Sequence, residues 1–356
     1  PSTPATVRWG SLPNRDAKPV LTLASGSLVT FDTVSHEGIL EDQGRDPVAY
    51  FATHGVPRSG VLEDAVAIAA SAMAHDFVSD GPHVVTGPVA IEGAMPGDVL
   101  KVETIALEPR VPYGVVSSRH GKGALPGEFP KGPGPAARAS AKHPGLYNNV
   151  SVFVRVEETE GELHGVLHNT AGQAIRFPLN PFMGIMGVAP DTSDLVNSVP
   201  PAHYGGNLDI NELGVGSTLY LPVRVAGALF YTGDPHFAQG DGEVALTALE
   251  APLRATFRLT LLRAGSPDIP LSSTPFTQPF AETADYWITI GLNADLDEAM
   301  KQAVRQSITF LSRSLDMDEA TAYAYLSAAV DFEVSQVVDR TKGVHALIRK
   351  KDFPQN

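Results

Sequence analysis

Three segments of the chain share one pattern, in which a glycine is followed by a small polar or acidic residue and then by alternating apolar residues. They begin at Gly26 (GSLVTFDTV), Gly97 (GDVLKVETI) and Gly216 (GSTLYLPVRV). Alternation with a period of two is typical of a strand with one buried face, and glycine marks the turn before it. The pattern is either a weak internal repeat or the ordinary appearance of β-hairpins, and both interpretations predict a mainly β fold.

The frequency of glycine and proline supports a mainly β fold. The 356 residues include 33 glycines and 29 prolines, which favour short strands joined by tight turns. Apolar residues make up 43% of the chain and charged residues 19%, as in a globular protein. Further strand-like runs are predicted at 20–33, 83–103, 150–156, 163–168, 255–262, 285–292 and 344–348.

Helical spacing is concentrated near the C-terminus. An amphipathic helix is predicted from the apolar residues Leu296, Met300, Val304, Ile308, Leu311 and Leu315. Asp316 and Glu319 have the three-residue spacing of a capping box, which marks the start of a helix. We therefore expect a second helix that begins there and runs to about Val338. Its apolar stripe contains Glu333, a carboxylate that is either paired in the core or part of a site. A short alanine-rich helix is also predicted over residues 62–73.

These patterns predict three domains. The first is an N-terminal β domain at 1–160, the second a central β domain at 161–265, and the third an α+β domain at 266–356. The first contains a long loop at 109–147, rich in glycine, proline and basic residues, which is either mobile or a lid.

Composition also limits the partners and the chemistry. The net charge is −14 and basic residues do not cluster, so we expect a small-molecule partner and no nucleic acid. The absence of cysteine excludes disulfides, thiolate metal sites and cysteine nucleophiles, and fits a cytoplasmic protein. The sequence contains no apolar run of the ~20 residues that a membrane span needs and no signal-peptide pattern.

Residues 201–250 contain the densest group of polar residues with chemical potential. An alternating run at 217–231 leads into a loop at 233–243, and a second predicted strand at 244–249 follows. The glycine turn GGNLD before the run carries Asp209. The loop contains five further candidates: Asp234, His236, Gln239, Asp241 and Glu243. We therefore expect the active site here.

The 233–243 loop permits three interpretations. His236 with nearby carboxylates offers the mixed nitrogen and oxygen ligands that suit zinc or another divalent ion. Asp241 and Glu243, two residues apart, would point the same way on an extended backbone and could form an acid–base pair with separated pKa values. The third interpretation is a polar turn that is capped by aspartates and has no chemical role.

Several signatures of other hydrolases and nucleotide-binding proteins are absent. The sequence contains no GxSxG nucleophile elbow, no Ser-Ser-Lys amidase run, no Walker A loop, no GxGxxG fingerprint and no HExxH helix. Water activated by a metal or by a carboxylate is then the most economical route to hydrolysis.

The central region resembles the acetamidase/formamidase family. The matching motifs are a GGNxD turn, a GSTLYLPV strand, a GALF strand and a GDxHxxQGDGE loop, in this order between residues 205 and 243. Three further segments agree, at 83–98, 181–190 and 335–344. The regions at 34–80 and 109–147 depart from the family pattern, which leaves open a larger amide, a lactam, a carbamate or an imide as substrate.

The resemblance implies β-sandwich or barrel-like units with an α+β C-terminal part, a homo-oligomer, and hydrolysis of short amides. It also implies a divalent metal, zinc or else calcium, held by some of His83, Asp209 and His236. Glu243, or in second place Asp241, would be the general base, and His236 would also take part in catalysis. Substrate contacts are expected from Phe182, Gly184, Gln239 and Phe230, and the helix predicted to carry Glu333 would close the far side of the site.

Two other classes of function stay open at this point. One is a non-catalytic β module that binds a small ligand or a metal. The other is a cupin-like metal oxygenase, which would need a second histidine two residues from His236, where Asp234 stands.

Overall fold

The computed structural model of the protein describes residues 1–270 and 276–354, so the predicted third domain lies partly outside the described residues. The strands are, in chain order, β1 (Val7–Trp9), β2 (Ser11–Leu12), β3 (Leu21–Leu23), β4 (Ser27–Asp32), β5 (Val84–Ile91), β6 (Val99–Pro109), β7 (Tyr113–Ser118), β8 (Val150–Thr159), β9 (Glu162–His168), β10 (Ala174–Pro178), β11 (Phe182–Val188), β12 (Val196–Asn197), β13 (Gly205–Asn207), β14 (Thr218–Pro222), β15 (Phe230–Ala238), β16 (Leu249–Glu250), β17 (Leu253–Leu262), β18 (Phe280–Glu282), β19 (Tyr286–Asn293), β20 (Asp331–Gln336) and β21 (Lys342–Arg349). The α-helices are α1 (Pro47–Ala52), α2 (Glu63–Ala69), α3 (Leu296–Ser314) and α4 (Glu319–Ala329). Short 3-10 turns lie at Glu41–Gln43, Arg58–Gly60, Pro144–Tyr147 and Lys350–Asp352.

The first sheet is organised around β15. Its described strands follow the order β1-β5-β15-β16-β7-β8-β9-β10, with β11, β13 and β3 attached beside this path. β15 forms backbone hydrogen bonds with three strands. Along one edge, β5 pairs with its first half and β16 with its second half, while β11 pairs with nearly its whole length along the other edge. Side chains from three neighbouring strands can therefore converge on β15.

The second sheet contains the three glycine-led segments. Its described strands follow the order β20-β21-β19-β18-β14-β6-β17-β4. Gly26, Gly97 and Gly216 precede β4, β6 and β14, and each has a positive φ, of 86°, 98° and 87° respectively. This left-handed conformation favours glycine and explains why the same residue begins each segment.

The main hydrophobic core lies between the two sheets, as in a β-sandwich. Phe230 from the first sheet contacts Phe31 and Phe257 from the second, with ring centroids 6.0 and 5.7 Å apart. All three side chains are buried. The prediction of a mainly β fold with sandwich-like units and an α+β C-terminal part is therefore confirmed.

The C-terminal helices cover the outer end of the second sheet. α3 packs on β19 and β21, and α4 packs on α3. Asp295 caps α3 by accepting a hydrogen bond from the backbone N–H of Glu298 at 3.0 Å. In the described part of the chain, no helix has the length and apolar character needed to cross a membrane.

Close packing of α3 on β19 depends on Gly291. A Cβ atom at this position would lie 2.0 Å from the Ala299 carbonyl oxygen and 2.6 Å from the Ala303 nitrogen, both in α3. We expect Gly291→Ala to lower the free energy of unfolding by about 1–3 kcal/mol or more, because the helix must move away from the sheet. Urea denaturation measures the change. Gly127→Ala, at a position with open space around it, is the matched control and should change stability by less than about 0.5 kcal/mol.

Several predicted elements are wrong in their extent. The helix predicted at 62–73 spans only Glu63–Ala69. The second C-terminal helix ends at Ala329, and its N-cap is Asp318, whose side chain accepts from Thr321 N, rather than Asp316. Glu333 consequently lies in strand β20 and not on a helix.

The 201–250 region also differs from the prediction. The single run at 217–231 is divided between β14 and β15. The first half of the predicted 233–243 loop belongs to β15, which continues to Ala238. Of the strand predicted at 244–249, residues 244–247 form turns and bends, and β16 begins only at Leu249. Within the predicted 109–147 loop, 113–118 form β7.

Both large sheets take strands from more than one of the three predicted domains. The first sheet combines strands from 1–160 and 161–265, and the second combines strands from all three segments. The division at residues 160 and 265 therefore does not separate the sheets, and it stays a prediction.

Candidate active site

A cluster of buried imidazole and carboxylate groups is built on β15. Asp234 and His236 lie on this strand, and Glu250 on β16 pairs directly with His236 across the two strands. His83 immediately precedes β5, the neighbour of β15 on the other side. The strand pairing therefore brings together residues that are up to 167 positions apart in the sequence.

The carboxylate of Asp234 lies between three histidines. Its Oδ2 is 3.0 Å from His236 Nε2, and its Oδ1 is 3.7 Å from His83 Nε2 and 3.6 Å from His36 Nδ1. Glu250 Oε1 lies 3.0 Å from His236 Nε2, and its Oε2 lies 3.8 Å from His36 Nδ1. All five side chains are buried. The two carboxylates thus link three imidazoles into one unit.

Two outer groups orient the histidines. His83 Nδ1 lies 2.9 Å from the Ser198 hydroxyl, which leaves Nε2 directed toward Asp234. His36 Nε2 lies 3.2 Å from Glu37 Oε1, and the same oxygen accepts a hydrogen bond from Arg119 at 3.0 Å. Such outer contacts fix the orientation and tautomer of an imidazole.

Acidic residues from two further segments complete the cluster. Asp209 follows β13, and its Oδ1 lies 3.9 Å from His236 Nδ1. Glu243 and Asp339 are also buried. Burial raises the pKa values of both, and both lie close enough to Asp209 for its negative charge to raise them further. Asp209, Asp234 and Glu243 all adopt positive φ, of 50°, 54° and 46°. Left-handed backbone at three non-glycine site residues indicates strain of the kind found at functional sites.

Burial and mutual repulsion separate the proton affinities of these carboxyl groups. Burial would raise the pKa of Asp234, but His83 and other nearby imidazoles hold the pKa of that carboxyl well below its usual range. Burial and the neighbouring Asp234 raise the pKa of Glu250 to about 7. Burial and Asp209 raise the pKa of Glu243 well above its usual range. The cluster therefore contains both a permanent anion and groups that can exchange a proton near neutral pH.

The donor atoms fit a divalent metal. Ligand atoms of His36, His83 and Asp234 lie within 4.8 Å of one another, and the same holds for two overlapping groups, Asp234–His236–Glu250 and Asp209–His236–Glu243. Both ring nitrogens of His36 and the Oδ1 of Asp234 are buried, and none of them makes a hydrogen bond of normal geometry among the described residues, although oppositely charged groups lie 3.2–3.8 Å away. Mixed imidazole and carboxylate donors suit zinc, whereas calcium prefers oxygen ligands alone.

The predicted metal ligands enter this cluster in two neighbouring groups. His83 belongs with His36 and Asp234, while Asp209 and His236 belong with Glu243. His83 and Asp234 also line a cavity, whereas Asp209 and His236 do not contribute to its lining. The structure thus places all three predicted residues close together without forming one three-ligand group from them.

The two predicted bases do not point the same way. Positive φ at Gly242 and Glu243 breaks the extended backbone that the prediction assumed. Glu243 is buried and lines the cavity, whereas Asp241 is exposed and accepts a hydrogen bond from Asn211 at 3.2 Å. Partial burial raises the pKa of Asp241 to about 7, and a hydrogen bond with the Glu333 carboxyl group contributes to this rise.

Glu333 belongs to a second cluster and does not close the far side of the main site. Its Oε2 lies 3.6 Å from His345 Nε2, and Glu212 lies 3.0 Å from the same nitrogen. The other ring nitrogen of His345 contacts the Ser335 hydroxyl at 2.8 Å. Neither Glu212 nor Glu333 lines the cavity.

The four predicted substrate contacts lie behind the cavity wall. Phe182 is buried with its ring edge-on to His236, at 4.9 Å between centroids, and Phe230 is part of the main core. The Gln239 amide donates to the carbonyl oxygens of Asp209 and Ser335. Gly184 lies under the cluster, where a Cβ would be 2.5 Å from an oxygen of Asp209. These residues support the site, and none lines the cavity.

The cavity has a volume of about 470 Å³ and opens from the cluster to solvent. Its inner lining includes His36, His83, Asn207, Asp234, Glu243 and Glu250. The segment after β7 supplies residues 119–123, 126 and 135, so part of the predicted 109–147 loop forms a wall of the cavity. Glu250, Asp339 and His36 are not among the site residues predicted above from the sequence.

A two-sheet fold with buried acid–base groups at the inner end of a cavity describes an enzyme-like site on a mainly β scaffold. The sequence profile described as the Acetamidase/Formamidase family matches residues 69–198 and 193–349. The protein belongs to this family.

Individual relatives agree with the assignment. A formamidase from Methylophilus methylotrophus is 26% identical over 300 residues, which cover 72% of this chain and 73% of that protein. An acetamidase from Mycolicibacterium smegmatis is 26% identical over 255 residues, or 60% of this chain and 62% of the relative. The chain therefore spans less than two thirds of the length of some curated relatives. The crystal structure of an acetamidase from Bacillus halodurans has a similar fold, with a TM-score of 0.73 and 24% identity over 98% of this chain and 97% of that one.

Proposed function

We propose that the protein hydrolyses the C–N bond of an amide and releases a carboxylate and ammonia or an amine. The observation that carries the proposal is the buried cluster of Asp234, Glu243 and Glu250 with three histidines at the inner end of a cavity. Membership of the acetamidase/formamidase family supports the same reaction class. It also favours this proposal over a non-catalytic binding module and over an oxygenase.

His36, His83 and Asp234 would hold a divalent metal, with zinc favoured over calcium by the two imidazoles. When bound, such a metal supplies Lewis acidity for the substrate carbonyl and lowers the pKa of water. All three residues line the cavity, which is the property that separates them from Asp209 and His236. Asp209 and His236, predicted as ligands, would instead support Asp234 from behind.

Glu243 is the proposed general base. It lines the cavity, and its raised pKa lets it both accept and return a proton. It would take a proton from the water that attacks the carbonyl carbon and deliver that proton to the amide nitrogen as the C–N bond breaks. Glu250 is already engaged by His236 at 3.0 Å, so it is better placed to orient that ring.

Asn207 is the proposed amide-orienting residue. It is buried in the cavity lining, and its Oδ1 has no hydrogen-bond partner within the described ranges. A side-chain amide offers a donor and an acceptor, which match the carbonyl oxygen and the N–H of an amide substrate.

Release of ammonia tests the proposal. Purified protein, loaded with zinc, is incubated with formamide, acetamide and a series of longer primary amides, and ammonia and carboxylate are quantified. We expect the two products in equal amounts from at least one amide. The absence of release across the whole series would contradict the proposal. The homo-oligomer and the cytoplasmic location stay predictions.

Gly184→Ala is expected to lower kcat/KM by about 10²-fold or more, because displacements of about 1 Å at a site have effects of this size. A Cβ here would lie 2.5 Å from Asp209 Oδ1, 2.7 Å from Asp234 Oδ2 and 2.8 Å from His236 Cε1. Steady-state kinetics measure the effect. Gly240→Ala, close in the chain and with open space around its Cβ position, is the control and should retain normal kcat/KM. If Gly184→Ala and Gly240→Ala both had the kcat/KM of wild type, the side chains of the cluster would not need their observed positions, which would contradict the prediction.

A further inference from the structure

The cavity is far larger than acetamide requires. Its volume of about 470 Å³ falls in the range of sites that hold drug-sized ligands. Apolar side chains from separate segments line it, including Leu40, Phe77, Pro126, Val199, Leu246 and Val337. The lining therefore suits a substrate with an apolar body several carbons long, in addition to the amide that reaches the cluster.

Three cations that have no ion-pair partner among the described residues line this cavity: Lys122, Arg340 and Lys342. The Lys342 ammonium group is already engaged, because it donates a hydrogen bond to the Ala294 carbonyl oxygen at 2.6 Å. Lys122 and Arg340 line it and are exposed, in contrast to the buried acidic residues at its inner end. Neither forms a salt bridge within 4.0 Å among residues 1–270 and 276–354. Arg119, which also lines the cavity, is already paired with Glu37 and Asp42, at 3.0 and 2.8 Å. Lys122 and Arg340 thus remain available for a ligand.

The positive charges lie close enough to affect each other. Partial burial, together with the guanidinium groups of Arg340 and Arg119, lowers the pKa of Lys122. Asp339 opposes this effect only in part, and that residue is itself buried beside Asp209. In a chain with a net charge of −14, two neighbouring cavity-lining cations that no described carboxylate neutralises are a specific feature.

Hydrogen bonds hold the backbone on both sides of this pair. Around Lys122, its own N–H donates to Arg119 O at 3.0 Å and Ala124 N–H donates to Val244 O at 2.9 Å. On the other side, the Gln336 side chain accepts from the N–H of Asp339 at 3.1 Å and donates to Thr341 O at 2.7 Å. This turn carries Arg340, so both cations are presented by fixed backbone.

We propose that the substrate is an amide that also carries a carboxylate, which Lys122 and Arg340 bind at the mouth of the cavity while the amide reaches the buried cluster. This inference rests on the proposed amide hydrolysis. Lysine and arginine are the side chains that bind carboxylates through charge-assisted hydrogen bonds. The apolar lining between the two ends points to half-amides of dicarboxylic acids, or amides of comparable length with one terminal carboxylate.

The test compares matched substrates. Monoamides of dicarboxylic acids with four to eight carbons are assayed beside uncharged primary amides of equal length, and kcat/KM is measured for each. We expect wild-type protein to prefer at least one carboxylated amide by about tenfold or more, the size expected for hydrogen bonds to charged groups. The preference should fall as the salt concentration rises, because the charges are near solvent.

Lys122→Gln and Arg340→Gln should each lower the ratio of kcat/KM between carboxylated and uncharged amides by about tenfold, and the double variant should lower it further. Lys142→Gln removes the same charge from an exposed position of the same segment, outside the cavity, and should leave the ratio unchanged. An unchanged ratio in both cavity variants, or a wild-type preference for uncharged amides, overturns this inference and leaves amide hydrolysis standing. No cleavage of any amide overturns the proposed function and this inference with it.

Discussion

Replacing Glu243 with glutamine is expected to lower kcat for amide hydrolysis by about 10²–10⁴-fold, the usual contribution of a general base. The side chain is buried in the cavity lining, and burial with Asp209 raises its pKa well above the normal range. Glutamine keeps the shape of the side chain but cannot accept the proton of the attacking water. Steady-state kinetics with saturating amide measure the loss, and circular dichroism confirms that the variant is folded.

Two companion variants make this result specific. Glu158→Gln removes a carboxylate from an exposed position of β8 and should leave kcat unchanged. Asp241→Asn separates the two bases predicted from the sequence, and we expect a much smaller loss than for Glu243→Gln because Asp241 lies outside the cavity lining. Unchanged kcat in Glu243→Gln would remove Glu243 from the mechanism. A larger loss in Asp241→Asn would transfer the role to that residue.

Asp234→Asn is expected to abolish retention of a divalent metal and to lower kcat/KM by about 10³-fold or more, as several kcal/mol of charge stabilisation would be lost. Asp234 contacts three imidazoles, at 3.0 Å to His236, 3.6 Å to His36 and 3.7 Å to His83. Elemental analysis of dialysed protein gives the metal content, and kinetics give the activity. Asp285→Asn, at an exposed position, is the control.

Chelation provides the complementary experiment. Wild-type protein treated with a chelator should lose activity to the level of Asp234→Asn and recover it when zinc is restored. Full activity in protein shown to contain no metal would contradict the metal assignment and would leave the carboxylates as the sole acid–base groups.

Most strands of the second sheet could be predicted from sequence because their pattern is local, whereas β18 and β20 were not predicted as strands. Alternation of apolar residues after Gly26, Gly97 and Gly216 corresponds to β4, β6 and β14. β15 was missed in its second half, since Gly233, Asp234 and Pro235 have the composition of a turn. Its pairing with three strands overrides that local preference, so tertiary contacts decide the structure there.

The prediction that the second C-terminal helix continues past Glu333 was wrong for a related reason. The apolar spacing of α4 continues past Ala329, and a seven-residue step placed Glu333 on the same stripe as Leu326. The chain instead becomes extended at Val330 and pairs with β21, a change that depends on a strand distant from the helix. Short apolar runs rich in valine are ambiguous between helix and strand.

The candidate site could be predicted in part. Asp209, His236 and Glu243 come from one stretch of sequence, and His83 was placed with them through the family resemblance; the structure brings all four into the same cluster. Glu250 could not be found in this way, because its position opposite His236 follows from strand pairing. His36 and Asp339 likewise reach the site from distant parts of the chain. The one local signal for Glu250 is that its carboxylate lies within an otherwise apolar stretch of sequence.

The most direct test of the central claim is the stoichiometry of products formed from a primary amide by the zinc-loaded protein. We predict one ammonia and one carboxylate for each amide consumed, with many turnovers per protein chain and a rate that falls at least about 10²-fold in Glu243→Gln. Products that form at the same rate in wild type and Glu243→Gln, or no turnover of any amide by the metal-loaded protein, would contradict amide hydrolysis at this cluster.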